Sequence, residues 1–252
     1  MLLSRVQAGV PASGMSTVGS SLALALELIV QRDASVLQVL GLSLQVSGSA
    51  CVIGALLGVW LGAWLAVTRF PGHAAMVWLV NTLLALPSVV VGLLVYLLLS
   101  RSGPLGSWGI LFTPAAMVMA QSVLVVPLIA ALVRRLVIDG LAEGGDQLRS
   151  MGAGPLMAAC LVLLHERLAL LTILLTAFGR AVAEVGAVMV VGGNINGVTR
   201  VMTTAIALET SKGDLPLALA LGLLLLGVVG LINLLIAWLQ PRESAPTVTA
   251  LA

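Results

Sequence analysis

The chain predicts an all-α, polytopic membrane protein, and three observations carry that expectation. Its 252 residues are 60% hydrophobic and only 9% charged, with a mean hydropathy of +1.16, whereas about a quarter of the residues in a soluble domain carry charge. The apolar residues gather into runs of about 20 or more, long enough to cross a hydrocarbon core as helices, which satisfy their own backbone hydrogen bonds where water cannot. The charge is concentrated as well: eight of the 22 charged residues, 12 basic and 10 acidic, lie in residues 134–167.

Taken in order, residues 1–38 read as a poorly ordered lead-in with a short interfacial helix. The apolar run at 22–30 is too short to span and contains Glu27, and Arg5 is the only charge in the Gly/Ser/Pro-rich stretch before it. A signal peptide is the competing reading; the thin charged region and the lack of a clean cleavage site speak against it. Five spans are expected, at 39–67, 75–99, 111–133, 168–191 and 215–239, and a polar tail at 240–252. The first carries Ala50, Gly54, Gly58, Gly62 and Ala66 at four-residue intervals. This smooth stripe lets another backbone approach, either within the subunit or across a subunit contact. Pro87 in the second span and Pro127 in the third each remove a backbone donor and are expected to kink their helices. Cys51 and Cys160 lie in or beside apolar segments with no CxxC or Cys/His cluster. They read as packing residues, and no metal site is expected.

Five spans put Arg69, Arg134, Arg135, Arg149, Arg167 and Arg242 on one side and Arg5, Arg32, Arg101, Arg200 and Lys212 on the other, with Arg180 inside the fourth span. Arg134 and Arg135 flank a helix end, where the positive-inside rule weighs most, so the charged loop is placed in the cytoplasm and the N-terminus outside. A net charge of +2 makes nucleic acid an implausible partner. Within the loop, Leu148 and Met151 are three apart and are expected to share a helix face. Gly152 supplies a left-handed or tight turn, and Pro155 opens the next helix. The expected product is a short helix, a sharp turn and a second helix returning to the bilayer. It reads either as a knob that docks in a groove on a soluble partner or as a solvated connector.

The spacing of this loop is similar to a cytoplasmic signature of ABC importer permeases: EAA, three residues, G, nine residues, I, one residue, LP. Asp146, Gln147 and Leu148 stand at the EAA positions, Gly152 at the glycine, Val162 at the isoleucine and Leu164 at the leucine, with His165 replacing the proline. More widely, LPSVVVGLLVYLLLSRSGPLG (86–106), FGRAVAEVGAVMVVGGNI (178–195) and TRVMTTAIALETSKGD (199–214) resemble the permeases for tungstate and, less closely, those for molybdate. The resemblance covers about 39–239. It implies a type I importer fold, a homodimer in the inner (plasma) membrane, two copies of an ATP-binding cassette subunit that hold ATP-Mg, and an extracytoplasmic oxyanion-binding protein. It also implies that Asp146, Leu148, Met151, Gly152 and Gly154 belong to the element that couples to the ATPase. No cofactor is expected in this chain itself.

Two further groups of residues are candidates for the translocation route. Arg180 and Glu184 are one helical turn apart and can pair on one face; intramembrane charges cost a few kcal/mol unless partnered or wetted. A buried structural pair is the alternative. Beyond them Gly186, Gly192, Gly193 and Asn194 read as an unwound helix end, so residues 180–194 are expected to line the route and its gate. Thr199, Arg200, Thr203 and Thr204 offer hydroxyls and one cation to an oxyanion, or else form a helix whose hydroxyls bond its own carbonyls. Enzymatic readings find no support, and no catalytic residue is expected. His165-Glu166 begins HExxH, but Ala169 occupies the second histidine position, and neither GxSxG nor a Walker A sequence occurs. A self-sufficient channel or secondary transporter is the remaining rival; those use inverted repeats, and five spans do not divide into equal halves.

Overall fold

A computed structural model of the chain describes residues 34–239. The lead-in as far as residue 33, with Arg5, Glu27 and Arg32, and the tail at 240–252, with Arg242, lie outside the described residues. Nine α-helices occur among those described: α1 (Ala34–Val67), α2 (His73–Leu84), α3 (Ser88–Leu99), α4 (Pro114–Ser150), α5 (Pro155–His165), α6 (Arg167–Val182), α7 (Gly186–Gly192), α8 (Met202–Lys212) and α9 (Leu215–Leu239), with a 3-10 turn at Gly106–Trp108. No strand occurs among them. The first helix begins at Ala34, five residues before the expected start of the first span and inside the segment read as a lead-in.

Among the described residues, three helices are long and apolar enough to cross a membrane: Ser35–Val67, Pro114–Ser150 and Leu215–Trp238. Two bent pairs bring the number to five if each is one span, His73–Leu84 with Ser88–Leu99 at 104° and Pro155–His165 with Arg167–Val182 at 80°. The chain is therefore a multi-pass, all-helical membrane protein, with two corrections to the expected spans. The second span is not one helix, because Pro87 has no N–H to give and disfavours helical geometry at Leu86. The fourth does not run from 168 to 191. Its helix ends at Val182 and a separate short helix, α7, follows, while the apolar segment 155–165, read above as part of the charged loop, forms α5. By contrast α4 passes through Pro127 as one element and continues to Ser150. The first half of the expected loop is thus a helical extension of the third span.

The described residues fall into two compact units. One comprises 34–46, 88–120 and 182–228, the other 47–87, 121–181 and 229–239. In the second unit, Ala63, Val125, Ile129, Val133, Val137, Ala159, Leu163, Ala177 and Ala181 form a core drawn from α1, α4, α5 and α6. The small-residue stripe of α1 faces α4. A Cβ at Gly62 would lie 2.5 Å from the Ala130 carbonyl oxygen, and one at Gly58 would lie 2.8 Å from Ile129 Cβ. The choice left open by the sequence is thereby resolved for these glycines, whose contact is within the chain. At the end of α1, Trp64 stacks on Phe70 at 4.9 Å, Phe70 meets the His73 ring edge-on, and His73 Nε2 lies 2.9 Å from the Leu65 carbonyl oxygen, which fixes the turn into α2. In the first unit, Met202, Ala205 and Leu221 are buried with Val36, Val39 and Leu40 packed against them.

Candidate functional site

The charged helix end and its return form the first region, all within the second unit. Along the last turns of α4, Arg135 pairs with Asp139 at 3.6 Å and Arg149 with Asp146 at 3.4 Å, both exposed pairs of the kind that contribute little. The helix stops in a Schellman motif. Gly152 at φ 84° donates its N–H to Arg149 and Ala153 donates to Leu148, satisfying two carbonyls of the last turn. Gly154 then caps α5, with Pro155 in its first turn. The five residues assigned to coupling, Asp146, Leu148, Met151, Gly152 and Gly154, therefore share one hairpin. Leu148 and Met151 do not share a face, however. The α-helix ends at Ser150, so Met151 enters the turn, where it is 68% exposed, while Leu148 is half-buried against a cavity.

That cavity measures about 370 Å³ and lies between α4 and α5, lined by Gly140, Glu143, Gln147, Leu148, Val162 and His165 among others. Gly140 permits the close approach of the two helices beside it, since a Cβ there would meet Val162 Cγ1 at 2.5 Å. On the return helix Leu156, Met157 and Leu164 are exposed, and with Met151 they give the hairpin an apolar outer surface. Neither the cavity nor Glu143 was legible beforehand, because sequence spacing does not state how far apart the two helices of a hairpin lie.

The second region, residues 182–204, lies in the first unit. Arg180 precedes it, exposed in the last turn of α6 and in a chain segment of the other unit. The proposed pairing with Glu184 on one helical face is overturned, because α6 ends at Val182 and Glu184 lies past the helix. Its Oε1 instead accepts the N–H of Ala187 at 3.3 Å, and its main-chain oxygen accepts the hydroxyl of Thr203 at 2.8 Å. The next helix, α7, is pressed onto α3, where a Cβ at Gly92 would stand 2.8 Å from Ala187 Cα.

After α7 the chain turns through two left-handed residues, Gly193 at φ 68° and Asn194 at φ 51°. Asparagine tolerates this conformation better than most residues, and here both ends of its amide are engaged. Nδ2 donates to the Thr204 carbonyl at 3.3 Å, and Oδ1 accepts from Arg200 Nε at 3.3 Å. Thr199, fully buried, donates to the Gly192 carbonyl and accepts the Ile195 N–H at 2.9 Å. Thr204 accepts the Val201 N–H at 3.1 Å, and Ser43 of α1 accepts the Met202 N–H at 2.8 Å. Of the residues expected along the route, Glu184, Gly193, Asn194 and Thr203 are thus brought into one hydrogen-bonded segment. Gln121 was missed. It is buried, its Nε2 donates to the Ala181 carbonyl at 2.9 Å near the end of α6, and its Oε1 has no partner. An amide inside an apolar run was the signal that could have found it.

No family model matches the chain. Individual proteins do. It is 40% identical over 226 residues, 90% of this chain and 99% of the other, to the tungstate uptake system permease protein TupB of Peptoclostridium acidaminophilum. It is 38% identical over 205 residues, 79% of this chain and 88% of the other, to a "Probable anion ABC transporter permease protein" of Haloferax volcanii. A Bacillus subtilis protein named for molybdenum transport, YvgM, is 28% identical over 191 residues, 71% and 82% of the two chains.

Proposed function

The chain belongs to the ABC transporter permeases, and we propose that it forms the membrane path of an ATP-driven importer whose cargo is an oxyanion, tungstate first. The likeness that carries this reading is the 40% identity to a tungstate uptake permease across almost the full length of both chains. Molybdate is the second reading, favoured by the Bacillus subtilis relative named for molybdenum. In this scheme two copies of the chain enclose the path in the inner membrane, a soluble binding protein delivers the oxyanion from outside, and two ATP-binding subunits work from the cytoplasm. Those subunits hold ATP-Mg and hydrolyse it; this chain converts their motion into opening on one side or the other, the alternation of two states biased by nucleotide.

The hairpin of α4 and α5 supports the coupling role. A helix that runs unbroken from an apolar segment to Ser150 can transmit displacement, since its backbone bonds are continuous. The exposed Met151, Leu156 and Met157 offer the apolar anchors a helix-in-groove contact needs. Residues 182–204 are assigned to the route and its gate. Their hydrogen bonds hold an irregular backbone of the kind tolerated at membrane depth only where it is buried in protein or borders a cavity.

The test is co-purification with the ATP-binding subunit. Gly152→Pro replaces φ 84° by a ring fixed near −65° and is expected to abolish the complex while the permease still inserts; an undiminished complex would remove the hairpin as docking element.

A further inference from the structure

Of the polar side chains at 199–204, one has donors left over. Thr199 gives its hydroxyl proton to the Gly192 carbonyl, Thr203 to Glu184 and Thr204 to Val201. A hydroxyl has a single proton, so none of the three can donate to an anion without breaking a bond that holds the segment together. The guanidinium of Arg200 differs. It carries five N–H groups and uses two on Asn194, Nε to Oδ1 at 3.3 Å and Nη2 to the main-chain oxygen at 3.5 Å.

Both of those acceptors are neutral. The carboxylates described in the same unit are engaged elsewhere: Glu209 with Lys212 at 2.8 Å, Asp214 with the N–H of Leu217, and Glu184 with the N–H of Ala187. No ion pair of Arg200 occurs among the described residues. Among the described residues its half-buried guanidinium thus meets no carboxylate, and it is held by Asn194, whose Nδ2 is itself bonded to the Thr204 carbonyl. A planar fork with N–H groups left over offers hydrogen bonds that the oxygens of a small dianion accept, and a fork already held in place loses less freedom on binding.

We propose that Arg200 is an anion-contact residue of the path, and that its unused guanidinium N–H groups hydrogen-bond the oxygens of the oxyanion in transit. The proposal rests on the oxyanion reading above and adds the group that meets the cargo. A single fork binds weakly, as a passage site must if cargo is to move on.

The experiment uses the assembled transporter in lipid vesicles with tungstate-loaded binding protein at saturation, following tungstate uptake and ATP hydrolysis together. Arg200→Gln is expected to lower tungstate delivered per ATP by about tenfold or more, and Arg200→Lys, which keeps the charge but loses the fork, by about threefold. ATP hydrolysis stimulated by the binding protein stays near wild type in both. An unchanged ratio in Arg200→Gln overturns the proposal. So does an equal loss of uptake and of stimulated hydrolysis, which would mark a structural residue or a docking point for the binding protein. Should Arg200→Gln fail to assemble, the ratio in Arg200→Lys decides: a reduced one upholds the contact and an unchanged one overturns it. Wild-type vesicles that hydrolyse ATP and deliver neither tungstate nor molybdate would sink the cargo reading itself, a failure visible before any substitution is made.

Discussion

Gly152 and Thr199 are fixed by different physics, and the substitutions that test them differ accordingly. A Cβ at Gly152 would meet nothing within 4 Å, so the cost of a side chain there comes from φ 84° alone, about 1–2 kcal/mol for an ordinary residue and less for asparagine. Gly152→Asn is expected to retain the ATPase complex and Gly152→Val to weaken it, as read by co-purification. Thr199 is fully buried, and its hydroxyl serves both the Gly192 carbonyl and the Ile195 N–H. Thr199→Val strands the buried Gly192 carbonyl at about 1–3 kcal/mol and removes the acceptor of the Ile195 N–H, so the detergent-solubilised protein should melt at a lower temperature. Thr199→Ser keeps both bonds and should melt near wild type; equal loss in the two variants would show that the methyl group matters instead.

At the scale of elements, α1 and α4 are held together by what α1 lacks. With a Cβ at Gly62 only 2.5 Å from the Ala130 carbonyl oxygen, any side chain there moves one helix off the other, whereas a Cβ at Gly48 on the same helix meets nothing within 4 Å. Overpacking of this kind costs about 1–3 kcal/mol. Gly62→Val is expected to lower the melting temperature and the yield from membranes, and Gly48→Val to leave both nearly unchanged; equal effects would mean that β-branching in the helix, not the approach of α4, sets the cost. The bent pair α2–α3 has a cause already visible in the sequence, Pro87, whereas the break between α6 and α7 has none, since no proline lies between Val182 and Gly186. There the Glu184 carbonyl is taken by Thr203 and α7 is packed on α3 through Gly92, so long-range contacts stabilise the interruption.

For the molecule as a whole, a permease without an ATP-binding subunit should conduct nothing. Vesicles holding this chain alone, without nucleotide, are expected to show no tungstate flux above lipid background, measured by metal content after filtration; sustained flux would make it a channel or secondary transporter. The sequence by itself determined the class. Hydropathy over about 20 residues reports whether a segment can leave water, and that quantity is local, so the apolar segments, the glycine turn at 152 and the likeness to ABC permeases were all legible in it. It left open where helices stop when no proline stops them, how far α4 extends past its apolar part, and what faces the stripe of α1. Tertiary structure decided those points, because each depends on which distant group takes a backbone carbonyl or fills the space beside a missing side chain. The pairing of Arg180 with Glu184 failed for this reason: four-residue spacing brings two side chains together only while the helix continues, and contacts far along the chain ended it at Val182.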